Sequence, residues 1–402
     1  IWNLTEKSPL IKHFFHKLIE EENSFIYSLL PSQRQTINNI LTSKKSIVLN
    51  MPTSSGKTLI SQISILYTLQ NYTDTFTGYK PTVCYVVPTN ALINQVAKKF
   101  KNDFNSINLN IETVLPFNDV DKFEDYILNS KQIDVLISTP EKLDFLIRNE
   151  HPSLNNLKQV IVDEAHNISD KTRGSKFELL LATIKLLRPN VNFLLMSPFI
   201  KNAKAIATWL GNNEQDSLPI SIEWSPTKQY IGCNIIDTKQ SSSKIKYFPS
   251  PTNNIVKEEI DINLNNNPTQ FKEEIGESSI NNIVKSLIIL KRYTKIGGTV
   301  LALMQGPGSA EKLAIKSLTY FKNDFENISD HPLIQKIQTI IDLEMDENHI
   351  LKETINYGIA FHHAKLPNIV KEGIEELISS GLIKILCAKL LIYWCSVWKT
   401  KE

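Results

Sequence analysis

Two short stretches place reactive residue types at spacings that serve phosphate chemistry: Met51-Pro-Thr-Ser-Ser-Gly-Lys-Thr58 and Val160-Ile-Val-Asp-Glu-Ala-His166. In the first, small side chains at Thr53, Ser54, Ser55 and Gly56 let backbone N–H groups turn inward toward a polyphosphate. A helix beginning at Thr58 would add its own unpaired N–H groups and the positive end of its dipole. In this pattern Lys57 reaches the β- and γ-phosphates and the Thr58 hydroxyl holds Mg²⁺. The pattern usually opens on Gly, and here it opens on Met51. In the second stretch an apolar run ends in two carboxylates. Asp163 would contact the metal shell, and Glu164 would orient and deprotonate an attacking water. Hydrolysis of a γ-phosphate requires both tasks.

These residues need a scaffold that brings them to one place. Ser46–Asn50 reads as a buried strand ahead of the loop, and Leu59, Ile60, Ile63 and Leu66 mark an apolar helix after it. Further apolar runs at 82–87, 134–138, 159–163 and 192–196 alternate with helical stretches. Such alternation predicts an α/β fold with a mostly parallel sheet covered on both faces, whose carboxyl edge carries the ligands. Residues 1–30 carry helical periodicity through Leu10, Ile11, Phe14, Phe15, Leu18 and Ile19, as an accessory lead-in. Residues 216–281 change character, with strand-like pieces, then Ser241-Ser-Ser243, Pro249, Pro251 and the Asn-rich run from Asn263 to Asn267, and read as a connector with a polar insertion. Helical pattern resumes near 279–293, and Thr299–Met304 begins a second α/β unit.

Bulk properties narrow the classes. At 402 residues the chain favours two or three domains, and a net charge of +2 gives no global footprint for a polyanion. No apolar run is long enough to span a bilayer, and no secretory start is present. The chain opens on Ile1, as a piece of a longer protein would. Cys84, Cys233, Cys387 and Cys395 lack paired metal-ligand spacing, which fits reduced thiols in a cytoplasmic protein.

Phosphate loop and Asp-Glu-Ala-His together resemble the DEAD/DEAH-box helicases of superfamily two, and further segments extend the likeness from residue 31 to about 388. Pro31-Ser-Gln33 resembles the adenine-recognition segment, with Gln33 as the base-reading amide. Pro88-Thr-Asn-Ala-Leu-Ile-Asn-Gln95 and Ser138-Thr-Pro-Glu-Lys-Leu143 resemble the two segments that grip a nucleic-acid strand. Asn202 with Trp209-Leu-Gly211, Trp224-Ser-Pro226 and Gly358-Ile-Ala-Phe-His-His-Ala364 are most similar to the Ski-like branch. The resemblance implies two RecA-like doubly wound domains: 31–215 for ATP, then the 216–281 connector, then an incomplete second domain over 282–402. It implies ATP at Gln33 and Ser54–Thr58 with Mg²⁺ on Thr58 and Asp163, and it implies that His166 and Ser197 link nucleotide to strand. Single-stranded RNA or DNA would cross Pro88, Thr89, Gln95, Thr139, Pro140, His362 and His363. A protein partner is left open, and no membrane role is implied.

The departures are specific. The family's Ser-Ala-Thr coupling motif is here Met196-Ser-Pro-Phe199, and Lys365 stands where Gly is usual. After Ile383-Lys-Ile-Leu-Cys-Ala388 the expected Gly-Val-Asn-Leu-Pro is replaced by Lys389-Leu-Leu-Ile-Tyr-Trp-Cys-Ser-Val-Trp398. No Gln-x-x-Gly-Arg-x-Gly-Arg motif occurs to supply arginine fingers. That tail reads as a truncation or frame error, with the expectation that this chain binds ATP and turns it over slowly. Two rival readings stay open: a double-strand translocase, and an inactive binding or scaffold protein on the same fold. His362 and His363 are adjacent and would point in different directions, which disfavours a metal site using both.

Overall fold

The computed structural model describes residues 8–20, 28–42, 45–52, 55–73, 78–114, 132–169, 174–198, 200, 202–211, 217–222, 230–237, 242–248, 260–264, 267–346 and 348–389. The chain divides into two compact units, Ile1–Thr227 and Lys228–Glu402.

The first unit runs α1 (Pro9–Glu20), α2 (Pro31–Thr42), β1 (Ser46–Asn50), α3 (Lys57–Tyr72), β2 (Thr82–Val86), α4 (Asn90–Asp103), β3 (Ile111–Thr113) and β4 (Val135–Ser138). It continues with α5 (Pro140–Arg148), β5 (Leu157–Val162), α6 (Gly174–Leu187), β6 (Asn192–Ser197), α7 (Ala203–Leu210) and β7 (Ser217–Ser221). The seven strands pair in the order β3-β4-β2-β5-β6-β1-β7, all in parallel. Because side chains alternate across a strand, each strand feeds two cores. Ile47, Leu49, Val83, Tyr85, Ile137 and Met196 face one, with the helices α1 to α4. Val48, Cys84, Val86, Leu136, Val160 and Leu195 face the other, with α5, α6 and α7. Burial on both faces is why these strands read as continuous apolar runs. Toward the amino ends of the strands, Gln159 of β5 ties the sheet to α3, accepting from the Thr68 hydroxyl at 2.9 Å and donating to the Ser64 hydroxyl at 2.8 Å.

The second unit holds β8 (Ile231–Asp237), β9 (Ser242–Phe248), β10 (Ile260–Asn263), α8 (Pro268–Glu274), α9 (Asn282–Lys295), β11 (Val300–Met304), α10 (Pro307–Phe321), α11 (Pro332–Glu344), α12 (Ile350–Ile355), β12 (Ile359–His362), α13 (Asn368–Ser379) and β13 (Ile385–Lys389). Strands β8, β9 and β10 form an antiparallel sheet, and β11-β13-β12 a parallel one. Ile245 and Phe271 share one core with Phe321, Ile337, Phe361 and Leu386.

Three features depart from the expectation. The first sheet extends beyond residue 215, because β7 pairs with β1 at its edge, where the missing N–H of Pro219 costs no ladder bond. Within the expected connector, β8, β9 and β10 pair into an antiparallel sheet of their own. Finally, α1 is no appendage, since Ile11, Phe14, Phe15 and Leu18 are all buried in the first core.

Candidate functional site

Parallel strands leave their carboxyl ends at a single edge, where Thr89, Thr139, Asp163 and Glu164 follow β2, β4 and β5 and Ser197 ends β6. The loop after β1 meets α3 at Gly56, whose φ of +81° is open to glycine at little cost. A Cβ at Gly56 would also lie 1.9 Å from Nε2 of Gln33. Gln33 is buried beneath the loop; its Oε1 accepts from the Leu30 N–H at 2.9 Å, and its Nε2 faces the Gly56 carbonyl at 3.5 Å. Ser55 is buried and its hydroxyl donates to the Pro52 carbonyl. Thr58 lies half-buried in the first turn of α3, and its carbonyl accepts from the Ser61 hydroxyl at 2.7 Å. Thr53 and Ser54 lie outside the described residues, as do Phe199, Trp224 to Pro226 and the tail after Lys389. Met51 resolves the odd opening of the motif: its side chain is fully buried in the core while its N–H donates to the Ser197 carbonyl at 3.0 Å. A position that faces the core tolerates an apolar side chain.

Lys57 opens α3, and its ammonium is buried with no hydrogen-bond partner. The nearest carboxylate oxygen recorded is Oε1 of Glu164, at 4.0 Å. A buried, unsatisfied ammonium beside glycine-permitted backbone is a fit for a phosphate anion. Asp163 follows β5, with its N–H donating to the Val86 carbonyl at 2.9 Å. Its Oδ2 accepts from the Tyr85 hydroxyl at 3.0 Å and its Oδ1 from the Glu164 N–H at 3.0 Å. Burial pushes the Asp163 carboxyl up, and the Glu164 charge adds to this against Lys57 and Tyr85. Burial acts on Glu164 in the same sense, yet the hydrogen bond from His166 and the charge of Lys57 outweigh it and hold Glu164 below its ordinary value. A half-buried base kept ionised is suited to activating water. Glu164 adopts the left-handed region, φ +51°, where a non-glycine residue carries strain.

His166 joins the next strand to this pair. Its Nδ1 lies 3.2 Å from Oε2 of Glu164 and 3.2 Å from the hydroxyl of Ser197 at the end of β6. The contact between His166 and Ser197 is thus present beside Pro198. The Asn50 amide, with its nitrogen turned inward, donates to the Pro198 carbonyl at 2.9 Å.

Thr89 and Thr139 are the N-cap residues of α4 and α5, following neighbouring strands β2 and β4. Both have extended backbone, and neither hydroxyl caps its own helix. Pro88 is buried, Pro140 sits in the first turn of α5, and Gln95 is exposed on α4. In the second unit His362 and His363 are 4 % and 3 % exposed, so both rings are interior. The His363 ring stacks on Phe361 with centroids 5.7 Å apart, and its Nε2 lies 2.9 Å from Glu311. This burial opposes the expected direct contact of the two rings with a strand. Sequence reasoning missed Tyr85, whose position inside an apolar strand carries no polar signal.

A phosphate loop, an Asp-Glu pair and a histidine–serine bridge at the carboxyl edge of a parallel sheet define a nucleotide-binding domain of the P-loop class. Residues 30–205 match the DEAD/DEAH box helicase family. It is similar to the ATP-dependent DNA helicase Hel308 of Methanocaldococcus jannaschii, 29% identical over 83% of this chain and 24% of that protein. It also resembles the Hel308 proteins of Methanocella arvoryzae and Methanococcus vannielii, at 26% and 24% identity over 83% of this chain and 39% and 40% of theirs. The chain thus spans at most two fifths of the length of these relatives.

Proposed function

We propose that this chain is the ATP-dependent motor part of a nucleic-acid helicase, coupling Mg·ATP hydrolysis to movement on a single strand. The observation that carries it is the continuous path from Lys57 through Glu164 and His166 to Ser197, spanning β1, β5 and β6 at the edge where Thr89 and Thr139 also lie. Lys57 and the loop backbone bind the phosphates, Thr58 and Asp163 hold the metal, and Glu164 takes the proton of the attacking water. Bound Mg²⁺ supplies charge neutralisation at the transferred phosphoryl group. His166 reports the state of Glu164 to Ser197. The Hel308 relatives favour DNA as the strand, and Asn202 with Trp209-Leu-Gly211 favours the Ski-like branch. In the cytoplasm the buried thiols of Cys84 and Cys387 would remain reduced.

Hydrolysis measured with and without single-stranded DNA, RNA and duplex tests this reading. Slow turnover is expected for the 402-residue chain, because no arginine-finger motif occurs in its sequence. In a form extended with that motif, single strands should stimulate hydrolysis and Glu164→Gln should abolish it. Stimulation by duplex alone would favour a double-strand translocase, and ATP binding without turnover in the extended form would favour a binding protein.

A further inference from the structure

Neither the phosphate loop nor the Asp-Glu pair accounts for one partner of the metal-side carboxylate. Tyr85 sits in β2 and is 1 % exposed, and its hydroxyl donates to Oδ2 of Asp163 at 3.0 Å. The other oxygen is taken by the Glu164 N–H at 3.0 Å. With one donor on each oxygen, the carboxylate is fixed in rotation as well as in place. The tyrosine ring is itself held. It packs edge-on against Phe100 of α4, with centroids 5.1 Å apart at 78°. Phe100 leans on Phe104 at 5.6 Å, and Phe104 on Phe14 of α1 at 5.4 Å. A phenylalanine would fill the same space in this core, so the hydroxyl is the part that packing does not require.

We propose that Tyr85 is a positioning residue for Asp163, its buried hydroxyl setting the rotation of the carboxylate that a divalent cation shares with the nucleotide. This rests on the reading of the site as one for Mg·ATP. Groups that orient a metal-binding side chain influence metal affinity nearly as strongly as the side chain itself. The aromatic column carries the positioning from α1 and α4 to the metal side of the site.

The test is calorimetric titration of ATP into the full chain, first in EDTA and then across a MgCl₂ series. Wild type should bind ATP more tightly as Mg²⁺ rises. Tyr85→Phe should match wild type in EDTA yet need roughly tenfold more Mg²⁺ for half of the enhancement. Phe100→Leu keeps the hydroxyl but loosens the ring, and should shift the midpoint in the same direction by less. It decides the matter if Tyr85→Phe fails to fold. An unchanged Mg²⁺ midpoint overturns the proposal, as does equal weakening in EDTA, which would mark a purely structural role. Absence of Mg²⁺-dependent ATP binding in wild type would overturn the site reading itself.

Discussion

Lys57 shows how much a single side chain can disclose. Its ammonium is held out of water with no hydrogen-bond partner, a state that costs free energy until an anion arrives. Lys57→Ala should weaken Mg·ATP binding by roughly 1.5–3 kcal/mol, the range for a hydrogen bond to a charged group, and calorimetry on both proteins measures it. His362 makes the opposite case, a titratable ring whose role is interior. Burial first, then the charges of Lys371 and His363, push it from 6.5 down to about 3, and Oε1 of Glu375 lies 3.7 Å from its Nε2. The folded state then binds fewer protons than the unfolded chain between those two values. Its contribution to stability is complete above pH 6.5 and is lost as pH falls through that window. His362→Leu should flatten this loss in melting temperatures taken from pH 7 to pH 4, and an unchanged slope would refute the assignment. The Gly-Lys-Thr and Asp-Glu-Ala-His runs were legible because their chemistry depends on neighbours in sequence. Tyr85 and Met51 were not, because their roles depend on which side of the sheet the Tyr85 side chain faces and on the loop at Met51 turning that side chain into the core.

At the scale of elements, α1 was read as an accessory helix and proves to be part of the first core. Ser8 ties its start to α3, with the hydroxyl donating to Oε1 of Gln70 at 2.6 Å, and Lys17 near its end donates to the Asp103 carbonyl of α4 at 3.2 Å. Phe14, fully buried between these contacts, packs at a tilt against Phe104. Phe14→Ala should cost about 3–5 kcal/mol of stability, visible as an earlier urea midpoint for the first unit. A change below 1 kcal/mol would mean that α1 is only loosely docked. Strands β1, β2, β4, β5 and β6 were visible in the sequence, each being apolar on both faces. The three-residue β3 is too short to show a period, and Pro219 disguised β7. Strand-like pieces were visible where β8–β10 lie, with alternation such as exposed Lys244 beside buried Ile245, but their pairing into a separate sheet was not, because pairing partners are not written in a local pattern.

At the scale of the molecule, a net charge of +2 gives no global attraction for a polyanion, so the proposed strand contacts would fall to local hydroxyls and backbone amides. Affinity for oligonucleotides should therefore vary little with sequence and, with few cationic contacts, fall only modestly with added salt. Substituting Thr89 and Thr139 together by Ala should weaken all of them alike in fluorescence anisotropy. Marked discrimination among sequences would count against the helicase assignment. The parallel sheet of the first unit has one further consequence. Its carboxyl rim holds the buried lysine, the strained glutamate and the two threonines whose hydroxyls leave their helices uncapped, while toward its amino rim both ends of the Gln159 amide are satisfied. Tolerance to change should split along the same line. Substitutions at the amino rim would register as lost thermal stability with binding intact, and those at the carboxyl rim as lost binding with stability spared or improved. A fluorophore or surface tether belongs on the amino rim, at an exposed position such as Glu150, where it would leave the working rim unencumbered.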